Sequence, residues 1–160
     1  MGTALEPTIL LVEDNGDDVF WLKRALHKAG FAAHIYVAQN GEEAVAYLGG
    51  EGEFADRTKH PFPKMVITDL KMPKMNGFEL VQWLRAEPKL SQLPIIVLSS
   101  SNLEADRAKA RELGANIFFT KPMCPEDFVP LVKFIRECGA RPTVHVTPAI
   151  EKSKTQRLHF

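Results

Sequence analysis

Five short apolar runs recur along this chain: TILLV (8–12), AHIYV (33–37), KMVIT (64–68), PIIVL (94–98) and NIFFT (116–120). Each has the length of a strand, and each is almost continuously apolar, as expected of strands buried on both faces. The segments between them carry apolar residues at helical spacing, with Val19, Leu22, Leu26 and Ala29 after the first run and Phe78, Val81 and Leu84 after the third. Strands that alternate with helices predict an α/β fold, a parallel sheet covered by helices on both sides. Asn15-Gly16-Asp17, Asn40-Gly41, Asn76-Gly77 and Asn102 stand where the N-caps of four helices are expected.

The 160 residues are enough for one hydrophobic core and too few for two ordinary ones. Lys and Arg number 20 and so do Asp and Glu, so charge gives no sign of a nucleic-acid or membrane-surface partner. Cys124 and Cys138 match neither a disulfide framework nor a zinc site, and MGTALEPT lacks the layout of a secretory signal. A cytoplasmic protein is expected. The Gly-, Pro- and charge-rich stretch 49–63 reads as an extended surface loop. Residues 1–138 are expected to form the domain. Residues 139–160 read as an extension that is poorly ordered or docked on a partner, with a sixth strand at TVHVT as the alternative.

In an open parallel sheet, ligands bind beyond the carboxyl ends of the strands. The first run ends in Glu13-Asp14, the third in Asp69, the fourth in Ser99-Ser100 and the fifth in Lys121-Pro122. Taken singly, these residues are ordinary caps, turn formers and surface charges. Together they deliver carboxylates, a hydroxyl and an ammonium group to one edge. Clustered carboxylates repel and raise one another's pKa unless a cation neutralises them, and an all-oxygen donor set with few carboxylates suits Mg²⁺ better than Ca²⁺. An Asp can act as a nucleophile toward phosphorus, with metal, Lys and Ser binding the equatorial oxygens of the group in transfer.

The blocks LLVEDN, VITDLKMPKMNG, IIVLSSS and FFTKP, in this order, resemble the receiver domain of two-component response regulators over residues 8 to about 138. The resemblance implies a flavodoxin-like, doubly wound sheet of five parallel strands in the order 2-1-3-4-5. It implies that Asp69 accepts the phosphoryl group and that Glu13, Asp14, Asp69 and the backbone carbonyl of Lys71 bind Mg²⁺. By the same resemblance Ser99 is the switch hydroxyl, Lys121 the phosphate-contacting lysine and Phe118 the switch aromatic. Pro73 and Gly77 shape the loop after Asp69, and Pro122 follows Lys121 in a step that is commonly cis in the family. The EDNGDD opening and the 49–63 loop are similar to stand-alone regulators of phytochrome-type sensor histidine kinases.

Three positions depart from the commonest pattern: Glu13 in place of Asp, Ser99 in place of Thr, and Phe118 in place of Tyr. The extra methylene points to a water-mediated Glu13 contact with the ion, and Phe118 has no hydroxyl to bond in an active state. The residues after 138 are too few for a DNA-binding module, so output is expected through a partner protein or a homodimer formed by residues 103–138. Leu103, Phe128, Leu131 and Val132 belong to that surface, and the plainer reading makes them core. A Mg²⁺-dependent phosphohydrolase also uses a strand-end Asp, but often with a second acid two residues later, where this chain has Lys71. A non-enzymatic phospho-switch is the favoured reading, and an interaction module that no longer takes phosphate is the third.

Overall fold

The structure, a computed structural model, describes residues 6–139. Its strands are β1 (Thr8–Val12), β2 (His34–Ala38), β3 (Met65–Thr68), β4 (Ile95–Ser99) and β5 (Ile117–Thr120). They form one sheet in the order β2-β1-β3-β4-β5, and every pair is parallel. The helices are α1 (Gly16–Lys28), α2 (Gly41–Gly49), α3 (Gly77–Ala86), α4 (Glu104–Leu113) and α5 (Val129–Gly139). This is the α/β class and strand order expected. Runs two to five begin one residue later than read from sequence. At β4 the cause is visible: Pro94 has no N–H to give, and the Asn116 side chain caps the sheet's lower edge by accepting from Ile95 N at 2.7 Å.

The two-residue period of the strands divides the core into two layers. Ile9, Leu11, Met65, Ile67, Ile96, Leu98, Ile117 and Phe119 face α1 and α5. Their neighbours Leu10, Val12, Val66, Ile95, Val97 and Phe118 face α2, α3 and α4. Apolar side chains on both faces explain why the runs read as continuous. Of the four apolar residues expected on the 103–138 surface, Phe128, Leu131 and Val132 are buried and Leu103 is 59% exposed.

Asn15, Asn40 and Asn76 cap α1, α2 and α3 through their side-chain oxygens, and Asn76 completes a reciprocal capping box with Glu79. Asn102 does not cap α4. Leu103 occupies that position without a side-chain cap, and Ser101 links the preceding loop to the helix start: its Oγ accepts from Leu103 N at 3.2 Å and donates to Asp106 Oδ2 at 2.5 Å. The 49–63 stretch is also not a free loop. It contains a 3-10 turn at Gly52–Ala55, and Arg57 donates to the carbonyls of Tyr47 and Leu48 at 2.8 Å. Both carbonyls lie at the C-terminus of α2, where Tyr47 O also accepts from the Gly50 amide at 3.1 Å. Tyr47 donates its hydroxyl to Pro61 O at 2.8 Å, and its ring packs against Phe54 and His60. Among the described residues no helix is long and apolar enough to cross a membrane. The expected extension lies outside them, apart from Gly139, which closes α5.

Gly77 opens α3 directly behind the strand end of Asp69 and donates its N–H to Leu70 O at 2.9 Å. A Cβ there would collide with the Asp69 carbonyl oxygen and lie 2.8 Å from Leu70 Cα, both backbone atoms that have nowhere to move. Gly77→Ala is therefore expected to destabilise the fold by about 1–3 kcal/mol, read as a lowered urea midpoint. Gly16→Ala is the control, since a Cβ at Gly16 meets nothing within 4 Å, and it should leave the midpoint unchanged or slightly raised.

Candidate functional site

The register of the sheet builds the site. One residue past each strand the ladder continues: Glu13 N donates to Ala38 O at 2.8 Å, Asp69 N to Val12 O at 3.0 Å and Lys121 N to Ser99 O at 2.7 Å. The backbone of all three residues is thereby fixed at the carboxyl edge. Asp69 is further held by its own side chain, whose Oδ1 accepts from Leu70 N at 2.7 Å. Asn15, which caps α1, also donates its N–H to Glu13 Oε2 at 3.2 Å, tying the acidic pair to the helix start.

Lys121 is the centre of the cluster. Its Nζ lies 2.9 Å from Glu13 Oε1, 2.7 Å from Asp18 Oδ2 and 2.9 Å from Asp69 Oδ2. Burial would pull the lysine's pKa down, but the hydrogen bonds to Asp18, Asp69 and Glu13 outweigh burial and hold it above the ordinary lysine value. Glu13 responds differently. Burial pushes its carboxyl up to about 7, because Lys121 offsets only part of the desolvation and the neighbouring Asp69 adds to it.

Of the residues singled out in the sequence, Glu13, Asp14, Asp69 and Lys121 are brought together. Carboxylate oxygens of Glu13, Asp14 and Asp69 lie within 4.8 Å of one another, with Asp14 exposed and the other two buried. Such a set of hard oxygen donors, open to solvent on one side, fits a hard divalent cation. Ser99 ends β4 at the same edge, fully buried, with its Oγ accepting from Ser101 N at 3.2 Å. Phe118 is buried on the α2–α4 side with the Arg107 guanidinium 5.0 Å from its ring centre.

In the loop after Asp69, Pro73 precedes Lys74, whose φ of 65° is left-handed and unusual for a residue with a side chain. Met75 O accepts from Gly41 N at 3.0 Å, which pins the loop to α2. The Lys121–Pro122 bond, expected cis, is trans, as no cis bond occurs among the described residues. The two isomers of an X–Pro bond differ by only about 0.5–1 kcal/mol, so a family tendency does not decide the isomer in any one chain.

Asp18 is the member of the cluster that sequence reasoning missed. It stands in the first turn of α1, where an acid is ordinarily explained by the helix dipole, so nothing local marks it. The one signal was density: EDNGDD places four acids in six residues, more than a cap and a metal pair require.

A family model described as "Response regulator receiver domain" matches residues 9–133. The probable methanogenesis regulatory protein FilR2 of Methanothrix harundinacea is 31% identical over 129 residues, covering 81% of each chain. Response regulator Rcp1 of Synechocystis sp. is 30% identical over 127 residues, covering 79% of this chain and 84% of that one. The crystal structure of its Mn²⁺-bound form superposes with a TM-score of 0.72, covering 88% of this chain and 99% of that one at 27% identity. The phosphorylated cyanobacterial phytochrome response regulator RcpA superposes with a TM-score of 0.74 at 32% identity, covering 83% of this chain and 93% of that one.

Because the carboxyl of Glu13 is raised in the folded chain from 4.5 to about 7, its protonated form favours the fold. That stability is fully present below about pH 4.5 and is lost as pH rises through 7. Relative to Glu13→Gln, the ion-free wild type is expected to lose urea stability between pH 5 and pH 8, on the order of 1–3 kcal/mol. Millimolar Mg²⁺ should restore more of it at pH 8 than at pH 5, which denaturation curves at the two pH values would measure.

Proposed function

The chain belongs to the response regulator receiver domain family, and on that premise we propose that it is a switch set by phosphorylation of Asp69. The observation that carries this reading is the Asp69 carboxylate itself. One oxygen is fixed by the Leu70 amide, the other meets the Lys121 ammonium, and Glu13 and Asp14 stand within ion-binding reach.

The donor is a phosphohistidine of a sensor kinase. An Asp69 oxygen attacks phosphorus, a new O–P bond forms, and the N–P bond breaks with its electron pair returning to the imidazole. Glu13, Asp14, Asp69 and the Lys71 carbonyl would hold Mg²⁺, which would supply positive charge to the oxygens of the group in transfer. Lys121 is already within contact distance of Asp69 and needs only to turn from the carboxylates to the incoming oxygens. Ser99 lies one hydrogen bond away in the ladder, since its carbonyl accepts from Lys121 N. Movement at the phosphoryl group is thereby transmitted to the end of β4, to Ser101 and the start of α4, and to Phe118 under Arg107. Phosphorylation adds about one negative charge and further acceptor oxygens, enough to reorganise a cluster with a single ammonium at its centre.

The kinase is of the phytochrome type or a related photoreceptor, a reading supported by the likeness to Rcp1 and RcpA. The setting is the cytoplasm. Output passes to a partner protein or through self-association of the 103–138 face, where Leu103 offers exposed apolar surface.

Intact-mass spectrometry after incubation with acetyl phosphate and Mg²⁺ tests the chemistry. A single phosphoryl adduct is expected in wild type, none in Asp69→Ala, and none when EDTA replaces Mg²⁺. An adduct that persists in Asp69→Ala would overturn the assignment, and sustained phosphate release over many turnovers would favour a hydrolase instead.

A further inference from the structure

Asp18 has no part in the functional reading above, yet its Oδ2 makes the shortest of the three contacts to Lys121 Nζ, 2.7 Å against 2.9 Å for Glu13 and for Asp69. It comes from a different element, the first turn of α1, whose start is fixed by the Asn15 cap on the amides of Asp17 and Asp18. With Trp21, Leu98, Pro122, Met123, Cys124 and Phe128 it borders a cavity of about 130 Å³ beside the lysine. The ammonium therefore has carboxylates on two sides. Glu13 and Asp69 stand on the side of the proposed ion site, and Asp18 stands on the side of α1.

This division has a consequence for cation binding. A divalent cation held by Glu13, Asp14 and Asp69 competes with Lys121 for two of the same carboxylates and repels its ammonium. Among the described residues, Asp18 is the one ion-pair partner of Lys121 outside the set that would hold the ion. We propose that Asp18 is a positioning residue that draws Lys121 away from Glu13 and Asp69, so that a divalent cation can bind beside the lysine. The proposal rests on the reading of Glu13, Asp14 and Asp69 as an Mg²⁺ site. Asp18 does not touch the ion, and its influence passes through the lysine.

A double-mutant cycle separates that influence from the simple loss of a negative charge. Mg²⁺ titrations of the full chain are followed by the amide NMR signal of Leu70, whose N–H reports on Asp69 Oδ1. Asp18→Asn is expected to weaken Mg²⁺ binding about 3- to 10-fold when Lys121 is present. In a Lys121→Met background, where there is no ammonium to hold aside, the same substitution should change affinity less than 2-fold. Asp18→Glu, which keeps the carboxylate, should recover most of the wild-type affinity. Equal losses in the two backgrounds would overturn the proposal, because Asp18 would then act through its charge alone. Wild-type protein that binds no Mg²⁺ at this edge would instead overturn the ion site, a different result visible before any variant is compared.

Discussion

The ammonium of Lys121 is what allows this edge of the sheet to exist in its observed form. Glu13 and Asp69 are buried carboxylates delivered to one place by adjacent strands, and burial without a partner would cost several kcal/mol for each. Lys121 reaches both, and Asp18 as well, from the far side of β4. One ammonium faces more than one carboxylate, and at Glu13 it offsets only part of the cost of burial, which is what raises that carboxyl's pKa. A cluster left short of positive charge is disposed to take up a cation.

That readiness depends on rigid surroundings. Asp69 is held from behind by the close approach of Gly77 to its carbonyl, and from the side by the Leu70 amide. The loop that follows is pinned to α2 through Gly41 and Met75, and its left-handed Lys74 is tolerated because both ends are tied. The elements on the β5 side are joined differently. Ser99 receives the Lys121 amide through its carbonyl and the Ser101 amide through its hydroxyl, and Ser101 Oγ in turn accepts the Leu103 amide just before α4. One continuous hydrogen-bonded path thus leads from the charged cluster to the start of α4, beside a buried Phe118 stacked under Arg107.

Much of this was legible in the residues. The five apolar runs, the three Asn caps and the acids at the strand ends are all local or periodic signals, and the sheet's register turns them into one site without further information. What was not legible depends on contacts between distant segments. Asp18 reads as a helix-dipole acid until β5 brings Lys121 against it, 103 residues away along the chain. Asn102 looks like a cap for α4, but the helix starts one residue later, with Leu103 at the N-cap and no side-chain cap. The 49–63 stretch has loop composition, and its anchoring by Arg57 depends on where α2 ends. Phe128, Leu131 and Val132 are core because α5 lies against the sheet, which periodicity suggests but does not decide.

A crystal structure with Mg²⁺ and beryllofluoride, a stand-in for the phosphoryl group, would test the central claim most directly. The account predicts the ion on Glu13, Asp14 and Asp69, the fluoride group on an Asp69 oxygen, and Lys121 Nζ moved from Glu13 onto a fluoride while it keeps Asp18. A fluoride group bound elsewhere, or bound at Asp69 with Lys121 still paired to Glu13, would contradict it.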